Sequence, residues 1–460
     1  MPINSFLYPG AKVTTGYDVD NSLRFNSGSS DYLTRTPSSA TNQDLWSLSF
    51  WIKRSNLGSY QSIYGVYANS TNQETLAFDD SDRLYWQLYQ SSAVKGQLTT
   101  NRVFRDVSAF YNILIVYDSA NGTAGNRMRM YINGVEETSF ATDTNPSSGQ
   151  DSQWNSTTAH TIGRINTANY MNGYISELVA VDGTALSPTD VGEFDSDTNI
   201  WKPKNVSGLT FGNNGFYLDF EDSSALGNDA AGSNNFTVNN LTAIDQSTDT
   251  CTNNFATLNS VYATGSFTFT DGNLTVDEGS ISDASTISTI GFNQGKWYLE
   301  FKIVDQGSRG YLGFTDGADR GLAEGDIRSS PAKWGMYMPA YSSSSNTSGT
   351  VNSNLGTATD NDIICFAFDA DNGQLFMSKN GNVDISSTAA ITGITTGNFF
   401  HFFVNETASG ADLSGYSINF GSPAYAISSG NTDADGYGNF EYAVPSGYYS
   451  LNSKNLAEYG

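Results

Sequence analysis

Residues 366–381 read FAFDADNGQLFMSKNG. Asp369 and Asp371 stand at the alternate spacing of a calcium loop, so the stretch is either a metal site or the bend of a hairpin. A helix-loop-helix calcium loop needs oxygen ligands at positions 1, 3 and 5, glycine at 6 and glutamate at 12. Counted from Asp369, position 5 is Gly373, position 6 is Gln374 and position 12 is Asn380. The metal reading fails. A hairpin fits: Ile364, Phe366 and Phe368 alternate up one strand, Asn372-Gly373 supplies positive φ, and QLFMS returns. The same plan of strand, polar turn, strand and Asn-Gly pair recurs at 117–135, so two related antiparallel sandwiches are expected in series.

Composition agrees. The 460 residues include 27 Phe, 26 Tyr and 7 Trp, while charged residues are sparse and Gly, Ser, Asn and Thr abound. This is the profile of an all-β chain with many polar turns, long enough for about two or three domains. Lys and Arg number 22 against 47 Asp and Glu, a formal charge of −25. Such a field repels phosphate backbones and gives no footing on anionic lipid, so no nucleic-acid partner is expected. The acid excess reads as solubility, with divalent-cation binding or adaptation to salty water as alternatives. No stretch approaches a membrane span, and the start MPINSFLYPG lacks the n- and h-regions of a secretory signal. Neither membrane insertion nor general secretion is expected. Cys251 and Cys365 make no disulfide framework and no zinc motif.

Short runs of β-branched and aromatic residues recur between turn clusters, first over 21–222 and again over 261–424. In LSFWIKR, Leu48, Phe50 and Ile52 alternate with Ser49, Trp51 and Lys53, so one face can meet a core. Residues 223–260 are rich in Gly and Asn and read as a linker with long loops. The Tyr-rich tail at 425–460 is expected to pack on the second sandwich, and residues 1–20 form a separate arm.

Catalytic patterns are poorly represented. Paired carboxylates of the Glu-x-Asp-x-x-Glu type come closest at EFDSDT, where Glu193 and Asp195 fit but Thr198 takes the place of the last acid. Both acids read better as turn residues. His160 opens the strand HTIGR and His401 sits in FFHFF, neither with a nucleophile elbow, so both read as structural.

The first block resembles the laminin-G-like, concanavalin-A-type lectin sandwich. The resemblance rests on SLRFNSGSSDYLTR at 22–35, WSLSFWIKR at 46–54, NILIVYD with RMRMYINGV at 112–135, and HTIGRI with GYISELVAVDGTALSP at 160–188. The second block is similar to SPRY-type domains through KWYLEFKI, GYLGFTDG, NDIICFAFDADNGQLFMSKNG and YSINFGSPAY. With TCTNNFATLNS between the blocks and PSGYYSLNSKNL near the end, the combination resembles structural proteins of tailed bacteriophages, especially marine ones. The fold implied is two concanavalin-A-like, jelly-roll-type β-sandwiches in series. The role implied is a non-enzymatic virion surface protein, a fibre, appendage or knob component that adheres to host-surface glycan or protein. A head-decoration or tail-adaptor protein without glycan binding is the alternative, and a glycan hydrolase a third.

Several site expectations follow from the resemblance. Its partners would be other virion proteins and the host surface, with a homo-oligomer, trimeric by analogy. The arm would attach it through Phe6, Leu7 and Tyr8. Laminin-G-like domains often hold calcium at the rim, and Asp79, Asp80, Asp82 and Asp118 lie at strand ends where they could ligate Ca2+; the alternative is that they cap turns. Sugar binding wants an exposed aromatic face beside amides. Tyr64, Tyr67, Trp86, Trp154 and Tyr170 have suitable polar neighbours, whereas Trp46, Trp297 and Trp334 look like core.

Overall fold

The computed structural model describes residues 16–278, 284–307, 310–316, 333–337, 342–345, 350–351, 359–381, 389–406 and 414–460. Phe6, Leu7 and Tyr8 lie outside them. The chain divides into two units, one running to Thr252 and the other from Asn253 onward. Both are built from antiparallel sheets around their own apolar cores, and the fold is all-β.

In the first unit, one sheet runs in the order Val135–Glu136, Met128–Ile132, Tyr111–Asp118, Leu45–Arg54, Gly173–Asp182, Ser22–Phe25 and Gln246–Ser247. Leu48, Phe50 and Ile52 face the inter-sheet core, as their alternation requires. The opposite face is buried as well. There Leu114, Val116, Val179 and Val181, with Tyr217 of the sheet strand Phe216–Leu218, pack under Leu186, Val191 and Val206. This covering layer explains why YNILIVYD is apolar almost without interruption: both its faces are inside. Ser49, Trp51 and Lys53, which alternation alone would place in solvent, are buried as well, Lys53 among Asp249, Phe110 and Tyr174.

The second sheet runs in the order Phe140–Thr144, Ala93–Val103, Arg83–Gln90, Asn72–Phe78, Gln61–Asn69, His160–Ile162, Tyr32–Arg35 and Thr237–Asn239. Its inner face meets the core through Leu76, Leu84, Trp86 and Leu88. Its outer face alternates to polar and tyrosyl side chains, and among the described residues no apolar cluster covers it. The Asn133-Gly134 pair, with φ of 49° and 76°, closes a two-residue hairpin between Ile132 and Val135. A Cβ on Gly134 would enter the Trp201 ring at 2.4 Å.

Residues 223–252 are not a linker. Leu226, Phe236 and Leu241 belong to the first core, Thr237–Asn239 pairs with Tyr32–Arg35, and Gln246–Ser247 pairs with Ser22–Phe25. Asp249 meets the buried Lys53 ammonium at 2.8 Å. Backbone ladders and amide side chains, which leave no apolar periodicity, hold this segment in place. Residues 253–260 belong to the second unit, where Ala256 and Leu258 join its core.

In the second unit, Lys296–Gln306 and Ile363–Asp369 lie side by side in the larger sheet, and Phe400–Glu406 and Gly310–Asp316 in the smaller. Phe314 and Phe368 meet between the sheets at 4.5 Å. The hairpin at 366–381 forms with Asp369 opposite Gln374. Its turn differs from the expected one: four residues intervene, and of Asn372 and Gly373 only the glycine has positive φ, 62°. Asp369 binds the Asn372 N–H at 3.0 Å and Lys296 at 2.8 Å, while Asp371 accepts from the Gly295 N–H at 2.9 Å. Both aspartates are occupied as turn and strand-end fasteners. The tail lays Phe440 and Tyr448 against Tyr298, Cys365, Ala367 and Phe376, then ends in the helix Ser453–Tyr459.

Candidate functional site

The outer face of the first unit's second sheet follows from one period-2 pattern. In Arg83–Gln90, Leu84, Trp86 and Leu88 are buried while Tyr85, Gln87 and Tyr89 alternate outward, partly exposed. Strand register then places Gln97, Gln87, Thr75 and Gly65 in one row across four strands. The row continues through Thr161 and Thr34 to Thr237 at the sheet edge. A second row brings Tyr89, Gln73 and Tyr67 together, and a third holds Thr99 and Tyr85.

These side chains are mutually ordered. Gln87 donates its amide to Gln97 Oε1 at 2.8 Å, and Gln97 donates to Thr99 Oγ1 at 3.2 Å. Tyr60 meets Tyr85 edge to face at 5.9 Å. Burial pushes the Tyr60 phenol up to about 12 and raises Tyr85 as well, so both rings present neutral O–H groups. The row from Gln97 to Thr75 is uncharged and spans about 10 Å at the usual strand spacing.

A loop after His160–Ile162 walls this field off. Gly65 admits it, since a Cβ there would lie 2.9 Å from both the Arg164 carbonyl and Ile165 Cβ. The Arg164 guanidinium lies 3.4 Å over the Tyr32 ring and donates to the Tyr170 hydroxyl at 3.0 Å. Thr161 ties the loop down by donating to the Arg164 carbonyl at 2.7 Å.

Of the expected sugar-stacking aromatics, Tyr67 lies on the open face and Tyr170 in its wall, each half-buried. The other three are corrected. Tyr64, Trp86 and Trp154 are at most 1% exposed and point into the core. Tyr64 packs on Trp154 at 4.2 Å, Trp154 on Trp46 at 5.2 Å, and Trp86 donates its indole N–H to Glu74 at 3.0 Å. Polar sequence neighbours misled at Tyr64 and Trp86 because a strand turns every second residue inward regardless of its neighbours, and at Trp154 because a polar turn folds its indole back into the core. The signal that would have found Tyr85, Gln87 and Tyr89 was the alternation in RLYWQLYQ itself.

The calcium expectation also needs correction. Asp79 accepts from the Ser81 and Arg83 N–H groups at 3.0 and 2.9 Å and pairs with the Arg83 side chain. Asp82 binds Arg54 at 3.1 Å, Arg105 at 2.8 Å and the Gly58 N–H at 2.8 Å. Burial opposes ionisation of Asp82, yet the Gly58 N–H and the two arginines hold its pKa below the ordinary value. Asp80 is exposed, and Asp118 accepts from Asn121 at 3.1 Å. Among the described residues, no cluster of three or more acidic, histidine or cysteine side chains is placed to hold a metal.

Asp195, His160 and Glu74 are each held by neighbouring hydrogen bonds. Asp195 accepts from the Thr198 backbone and hydroxyl and from the Asp197 N–H, which hold it at about 2, and Lys202 bridges it to Glu193. His160 takes the Asn155 N–H on Nε2 at 3.1 Å and sets Nδ1 against the Thr158 carbonyl at 2.7 Å. Burial holds it neutral, with a pKa of about 4. Glu74 is driven up to about 7 by complete burial, against the hydrogen bonds from Trp86, Gln153 and Trp154. No helix among the described residues is long and apolar enough to cross a membrane.

Residues 27–192 match the family model described as the concanavalin A-like lectin/glucanases superfamily. No curated protein matches the sequence. Among solved structures, the chain is similar to the SPRY domain of human HERC1 at 17% identity, over 35% of this chain and 96% of that one, with a TM-score of 0.29. A heptameric SAP-like pentraxin from Limulus polyphemus gives 16% identity over 49% and 94%, with a TM-score of 0.31. A candidate carbohydrate-binding protein from Bacteroides ovatus gives 16% over 48% and 59%, with a TM-score of 0.33.

Proposed function

We propose that the first unit is a carbohydrate-binding module that holds a glycan on its open sheet face and does not cut it. The observation that carries this reading is the uncharged, hydrogen-bonded Gln97–Gln87 amide pair flanked by Tyr60, Tyr67, Tyr85 and Tyr89. Tyrosine faces suit pyranose rings, and amides held in a ladder offer paired donors and acceptors to hydroxyls. The match of residues 27–192 to a lectin/glucanase family supports the same reading. Cleavage would need two carboxyl groups flanking the bond, and the side chains of this pair are neutral.

Adhesion from a virion surface is the setting we propose for this binding, on the strength of the sequence resemblance to phage structural proteins. A glycan array on the intact protein tests the binding reading. Hits that weaken about tenfold or more in Tyr85→Ala and Gln87→Ala support it. A blank array, or hits indifferent to both changes, sinks it in favour of a scaffold role. Reducing-sugar release from a bound glycan would move the protein to the hydrolases. Imaging of assembled particles tests the location.

A further inference from the structure

The polar stretch at 233–237, SNNFT, supplies one wall of a cleft at the edge of the same sheet, through Asn234, Asn235 and Thr237. Thr34, Arg35, Thr36 and Ser38 form the other wall. The cleft is shallow and open to solvent, with a volume of about 500 Å³. Its lining has hydroxyls, amides and one guanidinium, and no carboxylate.

Arg35 is fixed in place by neutral partners. It donates to the Asn214 carbonyl at 3.2 Å, to Asn214 Oδ1 at 3.3 Å and to Asn234 Oδ1. Those contacts use three of its five N–H groups. The nearest acids are committed elsewhere. Asp229 accepts from the Tyr217, Ala231 and Asn234 N–H groups, and Asp182 from Asn42, Asn155 and the Asn214 N–H. Partial burial lowers the Arg35 pKa, with Asp229 and Asp182 opposing from a distance. Around it, Thr36, Ser38 and Thr237 are exposed.

Asn234 spends both amide hydrogens on the Asn213 and Gly215 carbonyls and Thr34 its hydroxyl on the His160 carbonyl, so a half-buried guanidinium with no ion-pair partner among the described residues, beside the exposed Thr36, Ser38 and Thr237, is what an oxyanion would complete. We propose that this cleft is a subsite for an oxyanion, a carboxylate or a sulfate ester, carried on a glycan. That the carrier is a glycan rests on the proposed function. The row from Gln97 to Thr237 ends at this cleft, so the subsite lies on the same sheet as the tyrosine field, beyond the Arg164 loop.

The test is calorimetric titration of the intact protein with glucuronate, glucose 6-sulfate and glucose at about 0.15 M salt. At that ionic strength remote acids are screened beyond about 8 Å while a direct contact survives. Either anionic sugar should bind at least about tenfold more tightly than glucose, and the two arms identify carboxylate or sulfate. Arg35→Gln should remove that preference. Because Arg35 braces Asn214 and Asn234, the exposed Thr36→Asp provides a second variant that repels the anion while leaving those bonds intact, and it should weaken the same sugar about tenfold. No preference over glucose, or a preference that survives both substitutions, overturns the subsite. If array hits depend on Tyr85 and Gln87 while the anionic preference is absent, only the subsite falls. If the anionic preference is present without such hits, only the open-face reading falls.

Discussion

Trp86→Ala deletes a ring that is fully buried, and should destabilise the first unit by about 3–5 kcal/mol. Tyr85→Ala, one residue away and half-exposed, should cost under about 1 kcal/mol while weakening glycan binding. Urea denaturation followed by tryptophan emission checks both; equal losses would mean that the register has been misassigned. Glu74 makes a pH prediction. Its folded pKa of about 7 exceeds the ordinary 4.5, so its contribution is complete below about pH 4.5 and is lost as pH rises through 7. His160 runs the other way, losing its contribution as pH falls from 6.5 towards 4. Relative to wild type, Glu74→Gln should therefore gain roughly 2–3 kcal/mol between about pH 5 and about pH 8, from whatever lower baseline it starts. An unchanged difference at the two pH values would show that Glu74 is ionised inside. The identity of the core tryptophans Trp46, Trp297 and Trp334 was legible from sequence; the direction of Tyr64, Trp86 and Trp154 was not, because composition around a residue does not set its face.

At the scale of elements, strands with one solvated face announced themselves by alternation, as in Arg83–Gln90. Strands covered on both sides were found, but the layer over them was not, since Leu186, Val191 and Val206 come from short segments without a period. The three-residue strand Thr237–Asn239 was invisible for a different reason: its ladder is made by backbone groups, which every sequence has. The segment behind it carries weight nonetheless. Asp249→Ala would leave the Lys53 ammonium buried among Phe110 and Tyr174 without its carboxylate, at a cost of roughly 3–5 kcal/mol. Chemical denaturation of that variant measures it, and a loss below about 1 kcal/mol would return residues 223–252 to the status of a tether.

For the whole molecule, the first core closes on residues before Asn253. A chain of residues 13–252 alone should melt cooperatively and keep any glycan binding of the intact protein; a broad, non-cooperative melt would show that this core is not self-sufficient. With Asp79 and Asp82 spent on arginines and backbone, chelation by EDTA should leave the melting temperature where it was, and a clear drop would reveal a metal that these acids do not hold. The alternation in the open sheet has one more consequence. Leu84, Trp86 and Leu88 hold the core, while Tyr85, Gln87 and Tyr89 carry the recognition proposed above, interleaved yet separable. If the proposed binding holds, point changes at Tyr85, Gln87 and Tyr89 would redraw what the face accepts without renegotiating the core, so lineages carrying this unit could diverge quickly in preference while keeping one scaffold, and a library randomised at those positions should stay soluble.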